Sequence, residues 1–237
     1  MNTIIFDMDG TVLDTLEDLT ASVNHVLSAF GMPARTKEEY RRFFGNGIRY
    51  ALECAVPKGT SGDVIDRMIP LFREHYDEHC LDSTGPYDGI LELMGSLKDR
   101  GYRMAIVSNK IDSAVKELNR RFFSAYVDAA IGESSGIRRK PAPDTVFKAM
   151  EKLGSSKEEC IYVGDSEVDY QTAINAGIPS ISVLWGFRDR EFLEKIGAKV
   201  FANTPGELLD IIIDMDLNGS EGVLKLVDFD RQWLGAN

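Results

Sequence analysis

Short β-branched and apolar runs recur along this chain, each followed by a segment of helical length: Ile4-Ile5-Phe6, then 103–107, 126–131, 160–163 and 180–184. This alternation predicts right-handed βαβ units on a parallel sheet, because strands that point the same way need a long crossover and a helix is the compact one. A further short strand is expected at 199–202, followed by a helix from about Pro205, since proline suits a first helical position. The class is α/β.

One interval breaks the alternation. From Thr15 to about Asp82 no strand pattern is present, whereas Leu16, Leu19, Val23, Val26, Leu27 and Phe30 fall at helical spacing and are closed by Gly31. So long a connection needs structure of its own. The expectation is an α-helical cap domain over residues 15–82, set above the carboxyl ends of the strands, with 1–14 and 83–237 forming the catalytic core domain.

Charge narrows the partners. Lys and Arg number 27 against 38 Asp and Glu, a formal charge of -11, which argues against nucleic acid or an anionic membrane surface. Cys54, Cys80 and Cys160 have no Cys-x-x-Cys spacing, and Asp7 and Asp9 interrupt the place where a signal peptide would be apolar. A cytoplasmic protein, monomer or homodimer, is expected.

The proposed strands end in polar residues. Asp7-Met8-Asp9-Gly10-Thr11 follows the first, Ser108-Asn109-Lys110 the second and Gly164-Asp165-Ser166-Glu167-Val168-Asp169 the fourth, with Arg138-Arg139-Lys140-Pro141-Ala142-Pro143 before it. Alone, Asp-x-Asp-Gly reads as a solvated turn and Gly164-Asp165 as a helix start. A parallel sheet, however, brings all its strand ends to one edge, where several carboxylates, a hydroxyl and a lysine would meet. Either Lys110 or Lys140 could be that lysine; the Lys-Pro-x-Pro context favours Lys140.

Taken in order, DMDGTVLDT, SNK, KPAPD and GDSEVD resemble the four motifs of the haloacid dehalogenase superfamily of phosphotransferases, and 41–47 with 183–187 resemble its phosphoglycolate phosphatase branch. The resemblance implies a parallel Rossmann-like sheet and a Mg2+-dependent phosphomonoester hydrolase working through an aspartyl phosphate on a small phosphorylated metabolite, phosphoglycolate foremost. It implies Asp7 as nucleophile and Asp9 as general acid and base. Lys140 would neutralise the site, and Mg2+ would be held by Asp7, the Asp9 backbone carbonyl and Asp165. Ser108, Asn109, Lys140 and Gly10 would surround the phosphoryl group, with Thr11 and Asp169 in support. In the cap, Gly45, Asn46, Gly47 and Arg49 would form the substrate loop, Arg49 meeting a substrate carboxylate.

Rivals remain on the same scaffold. A β-phosphoglucomutase-like isomerase shares the core set but carries serine and arginine after the cap glycine, where this chain has Asn46-Gly47-Ile48; inorganic pyrophosphatase is a further alternative, and a non-catalytic binding module a third of another class. His75-Tyr76-Asp77-Glu78-His79 matches a zinc peptidase pattern, but the simpler expectation is a surface helix. Met104 and Tyr162 read as core, Arg138 and Arg139 as a solvated rim, and Phe229 and Trp233 suggest that the tail docks.

Overall fold

A computed structural model describes residues 1–218; Phe229 and Trp233 lie outside the described residues. The chain opens with β1 (Thr3–Asp7), all five residues buried, and after a tight loop forms β2 (Leu13–Asp14). Four helices follow: α1 (Leu16–Ala29), α2 (Lys37–Phe43), α3 (Ile48–Ala55) and α4 (Gly62–His79). The chain returns through β3 (Gly85–Pro86), which pairs antiparallel with β2, so the two connections to the helical insert are tied to each other.

Beyond it, α5 (Ile90–Asp99), β4 (Arg103–Ile111), α6 (Asp112–Leu118), β5 (Ala129–Glu133), α7 (Asp144–Leu153), β6 (Cys160–Gly164), α8 (Glu167–Ala176), β7 (Ser180–Val183), α9 (Arg190–Lys195), β8 (Phe201–Ala202) and a helix over 205–218 complete the described chain. The main sheet is parallel in the order β5-β4-β1-β6-β7-β8. Connections run outward on one side of β1 and then on the other, which leaves a crevice at the carboxyl ends beside β1.

Period-two alternation sets the two layers. Ile4 and Phe6 face one apolar cluster with Ile106, Val163 and Leu93, whereas Ile5 faces the other with Val107, Tyr162 and Val146. The insert buries its own set, with Leu16, Leu19, Val23, Val26 and Leu27 of α1 packed on Met68, Phe72 and Tyr76 of α4. Gly31, just past the end of α1, takes φ 67°, where a side chain would be strained.

Two strands differ from their sequence limits. The run expected at 126–131 forms a strand only from Ala129, because the amides of Tyr126 and Val127 are both spent on the Phe123 carbonyl at 2.8 and 2.9 Å. β4 continues to Ile111, and its register against β5 shifts between Val107 and Ile111, which re-aims Ser108, Asn109 and Lys110.

The His-x-x-Glu-His segment lies at the end of α4, and His25 of α1 joins it. The His25 and His75 ring centroids are 4.1 Å apart and those of His75 and His79 4.4 Å; Ser22 bonds His75 Nδ1 and Asp82 bonds His79 Nδ1. Desolvation, then His25 and His79, lower the His75 pKa against the opposing pull of Glu78 and Asp82. The folded chain therefore takes up this proton less readily than the unfolded one. The stability it contributes is present above about pH 6.5, the unfolded histidine value, and is lost as pH falls through the depressed folded value. Thermal melts at falling pH should show an earlier drop in wild type than in His75→Gln; identical profiles would remove the histidine stack as the cause.

Candidate active site

Behind β1, the Met8 carbonyl accepts the amides of Thr11, Val12 and Leu13 at 3.0 to 3.3 Å, and Gly10 turns with φ 86°. A Cβ on Gly10 would lie 2.4 Å from Asp165 Oδ2, so this position admits no side chain. The turn leaves Asp7 at the strand end, in register with Val107 of β4 and therefore beside Ser108. Asp165 follows β6 on the other flank and is fully buried.

Lys140, 5% exposed, reaches this centre from the loop before α7. Its Nζ donates to Asp7 Oδ1 at 2.6 Å and to Asp169 Oδ1 at 2.7 Å, and it lies 3.1 Å from the Tyr162 hydroxyl. Asp169, third residue of α8, accepts on Oδ2 from the Ser166 amide and hydroxyl, forming a capping box, and on Oδ1 from Tyr162. Its oxygens are thus occupied in holding Lys140. Asp165 is held by Thr11 Oγ1 at 3.1 Å and by the Phe187 amide at 2.6 Å. Among the described residues Asp7 Oδ2 has no such partner, and Asp7 lines a cavity of about 120 Å³.

Asp7, Asp165 and Asp169 present oxygens within 4.8 Å of one another, three buried carboxylates of which Lys140 pairs with two, Asp7 and Asp169. The imbalance shows in their acidities. Burial, with help from Asp169, pushes Asp165 up to about 7, and burial with Asp169 and Asp165 raises Asp7 although Lys140 pulls it down. Asp169, against burial, is held low by Lys140, Ser166 and Tyr162. Lys140 resists burial and stays well above the usual lysine range through Asp169 and Asp7. Buried charge of one sign is costly unless it is balanced, and an all-oxygen donor set fits a hard divalent cation. Asp169 accepts two bonds on each oxygen, whereas each Asp165 oxygen accepts one and Asp7 has Lys140 on Oδ1 alone, so Asp7 and Asp165 keep lone pairs for it.

Asp9 faces the same cavity beside Ser108, whose Oγ is 3.4 Å from Asp9 Oδ2. Lys110, the other lysine of the sequence reading, goes to Asp9 and not to Asp7: its Nζ lies 3.1 Å from Asp9 Oδ1 and donates to the Tyr76 hydroxyl of α4 at 2.8 Å. Asp9 and Tyr76 keep it charged despite burial.

Several expected positions behave otherwise. Asn109 lines the cavity and also clamps the lysine loop, donating to the Lys140 carbonyl and accepting from the Lys140 amide. Arg49 does not line the cavity, since Glu53 one turn on and Asp66 of α4 engage it. Asn46 turns its amide to Glu167 at 3.1 Å, leaving Gly45 and Gly47 on the wall. Arg139, read as a rim residue, donates to the Asn46 carbonyl, and a Cβ on Gly47 would collide with its guanidinium.

Three participants escaped the sequence reading. Tyr162 is buried as expected, but strand register puts it on the Asp7 side of the sheet, where its hydroxyl joins the lysine network. Arg188, 7% exposed, donates to Glu167 and to the carbonyls of Arg41 and Phe44, fastening the helical insert to the sheet. Arg73 of α4 lines the cavity. The last two positions depend on how the insert packs over the sheet, which no local sequence pattern encodes.

A family model described as "Haloacid dehalogenase-like hydrolase" matches residues 4–183, a span that runs from the second residue of β1 to the end of β7. The chain belongs to this hydrolase family. A phosphoglycolate phosphatase of Mesorhizobium japonicum is 34% identical over 195 residues, covering 81% of this chain and 86% of its own. Pyrophosphatase PpaX of Halalkalibacterium halodurans is 28% identical over 219 residues, covering 90% and 97%. A solved structure from Lactobacillus delbrueckii subsp. bulgaricus, provisionally named a phosphoglycolate phosphatase, is 38% identical and superposes with TM-score 0.85 over 90% of this chain and 99% of its own. No described helix is long and apolar enough to cross a membrane.

Proposed function

We propose that the protein is a Mg2+-dependent phosphomonoesterase acting on a small phosphorylated metabolite, with phosphoglycolate the leading substrate. The carrying observation is the Asp7 carboxylate: Lys140 holds one of its oxygens at 2.6 Å, the other has no partner among the described residues, and Asp7 lines one cavity with Asp9 and Ser108. In this reading residues 15–82 act as a cap on a core made of 1–14 and 83–237.

Asp7 Oδ2 attacks phosphorus, forming an aspartyl phosphate as the ester P–O bond breaks, and Asp9 gives its proton to the leaving oxygen. Asp9 then takes a proton from water, which attacks the same phosphorus and returns Asp7 as a free carboxylate with release of phosphate. Ser108 and the nearby backbone amides donate to the phosphoryl oxygens, and Lys140 offsets charge that would otherwise repel an anionic ester from a carboxylate. Bound Mg2+, held by Asp7, Asp165 and the Asp9 carbonyl, would supply further charge neutralisation of the phosphoryl group. The insert covers the crevice through Phe44, Gly45, Gly47 and Tyr76 and limits water.

The test is phosphate release from a panel of esters. Release should require a divalent cation, vanish with EDTA and return with Mg2+. No release from any ester would instead favour a binding module.

A further inference from the structure

We infer that Arg73 selects substrates whose leaving group carries a second anionic group, a carboxylate or a further phosphate; this inference rests on the phosphomonoesterase reading above. Three cations line the cavity, Arg73, Lys110 and Lys140, and two of them are already committed. Lys140 is spent on Asp7 and Asp169, and Lys110 on Asp9 and Tyr76. Among the described residues lining the cavity, Arg73 brings the remaining cation and makes no ion pair with protein.

Its placement follows from α4. Lys110 ties the Tyr76 hydroxyl to the Asp9 side of the cavity, and Asp9 as proton donor marks where the leaving oxygen must sit. Arg73 precedes Tyr76 by three residues and so shares its helix face, one turn further from the phosphoryl centre. A guanidinium there meets the far end of a short leaving group, and its planar fork suits either a carboxylate or a phosphate. Asp77, one turn C-terminal to Arg73 and next to Tyr76, lines the same cavity without pairing with Arg73 and would repel an anionic leaving group. The selectivity of the cavity is therefore the balance of these two charges, and changing either one should move it in opposite directions.

The experiment compares kcat/KM of the full chain with Mg2+ on 2-phosphoglycolate, pyrophosphate and p-nitrophenyl phosphate, whose aryl group has no second anion. Arg73→Gln should lower the preference for an anionic-tail substrate over the aryl ester about tenfold, mainly through KM, as loss of one charged hydrogen-bonding contact predicts. Arg73→Lys should restore part of it, and Asp77→Asn should raise it. A drop confined to phosphoglycolate assigns the contact to a carboxylate, and one confined to pyrophosphate assigns it to a phosphate. Unchanged preference, or an equal loss on all three substrates, overturns the role of Arg73. A wild-type chain inert toward all three overturns the phosphomonoesterase reading and this inference with it.

Discussion

Asp7→Asn should lower the turnover of every phosphate ester by about four to six orders of magnitude, the scale seen when a nucleophile is removed from a cooperating site. The amide matches the carboxylate in shape but lacks the electron pair and charge needed to attack phosphorus, while the surrounding backbone has no reason to move. Stability should change little in net terms. The variant weakens the Lys140 contact at 2.6 Å, yet it also removes one of three crowded negative charges. Acid quenching followed by mass spectrometry tests the assignment more sharply than rate alone. Wild type should show a phosphoryl adduct on the peptide containing Asp7, and Asp7→Asn should show none. Asp9→Asn should behave differently with an aryl phosphate, whose phenolate leaves with little help: the adduct should form and persist, because the base that activates water is gone. An adduct on another residue, or near-normal turnover by Asp7→Asn, would take the nucleophile role from Asp7.

The convergence of these residues was legible because it depends on topology more than on packing. Once the strands run parallel, whatever follows them must gather at one edge, so Asp7, Ser108 and Asp165 could be grouped from spacing alone. Lys140 follows no strand, and its Lys-Pro-x-Pro context was the one local signal that separated it from Lys110. What was not legible depends on contact between the helical insert and the sheet. Lys110 is adjacent in sequence to Asn109 but finds its partner 34 residues earlier on α4, and no periodicity encodes that meeting. The choice between Arg49 and Arg73 likewise turns on helix phase. Arg49 starts α3 next to the glycine loop, which made it the natural candidate, but its face of α3 looks toward Asp66 of α4 and not into the crevice. Tyr162 could have been found. Tyr162 is in register with Ile5, which points to the same side of the sheet as Asp7 two residues on, so a polar-tipped residue there has a route to the site.

Lys140→Met should cost both activity and stability, and the second effect separates a structural cation from a merely catalytic one. The lysine side chain is 2% exposed and lies between Asp7 and Asp169, themselves buried. Methionine fills similar volume but leaves both carboxylates without their ammonium, and removing one partner of a buried pair typically costs about 3 to 5 kcal/mol. Urea unfolding should show the midpoint falling with little change in slope, because the loss is local charge balance and not compactness. Added Mg2+ should recover part of the loss, since a ligand that binds only the folded chain stabilises it in proportion to its affinity. Asp169→Asn supplies the complementary measurement. Combined with Lys140→Met it should destabilise by less than the two single changes added together, as the second substitution removes one of the charges that the first exposed. Strict additivity would mean that Lys140 and Asp169 do not act through each other, and a Lys140→Met chain as stable as wild type would show that the three carboxylates are balanced by something other than this lysine.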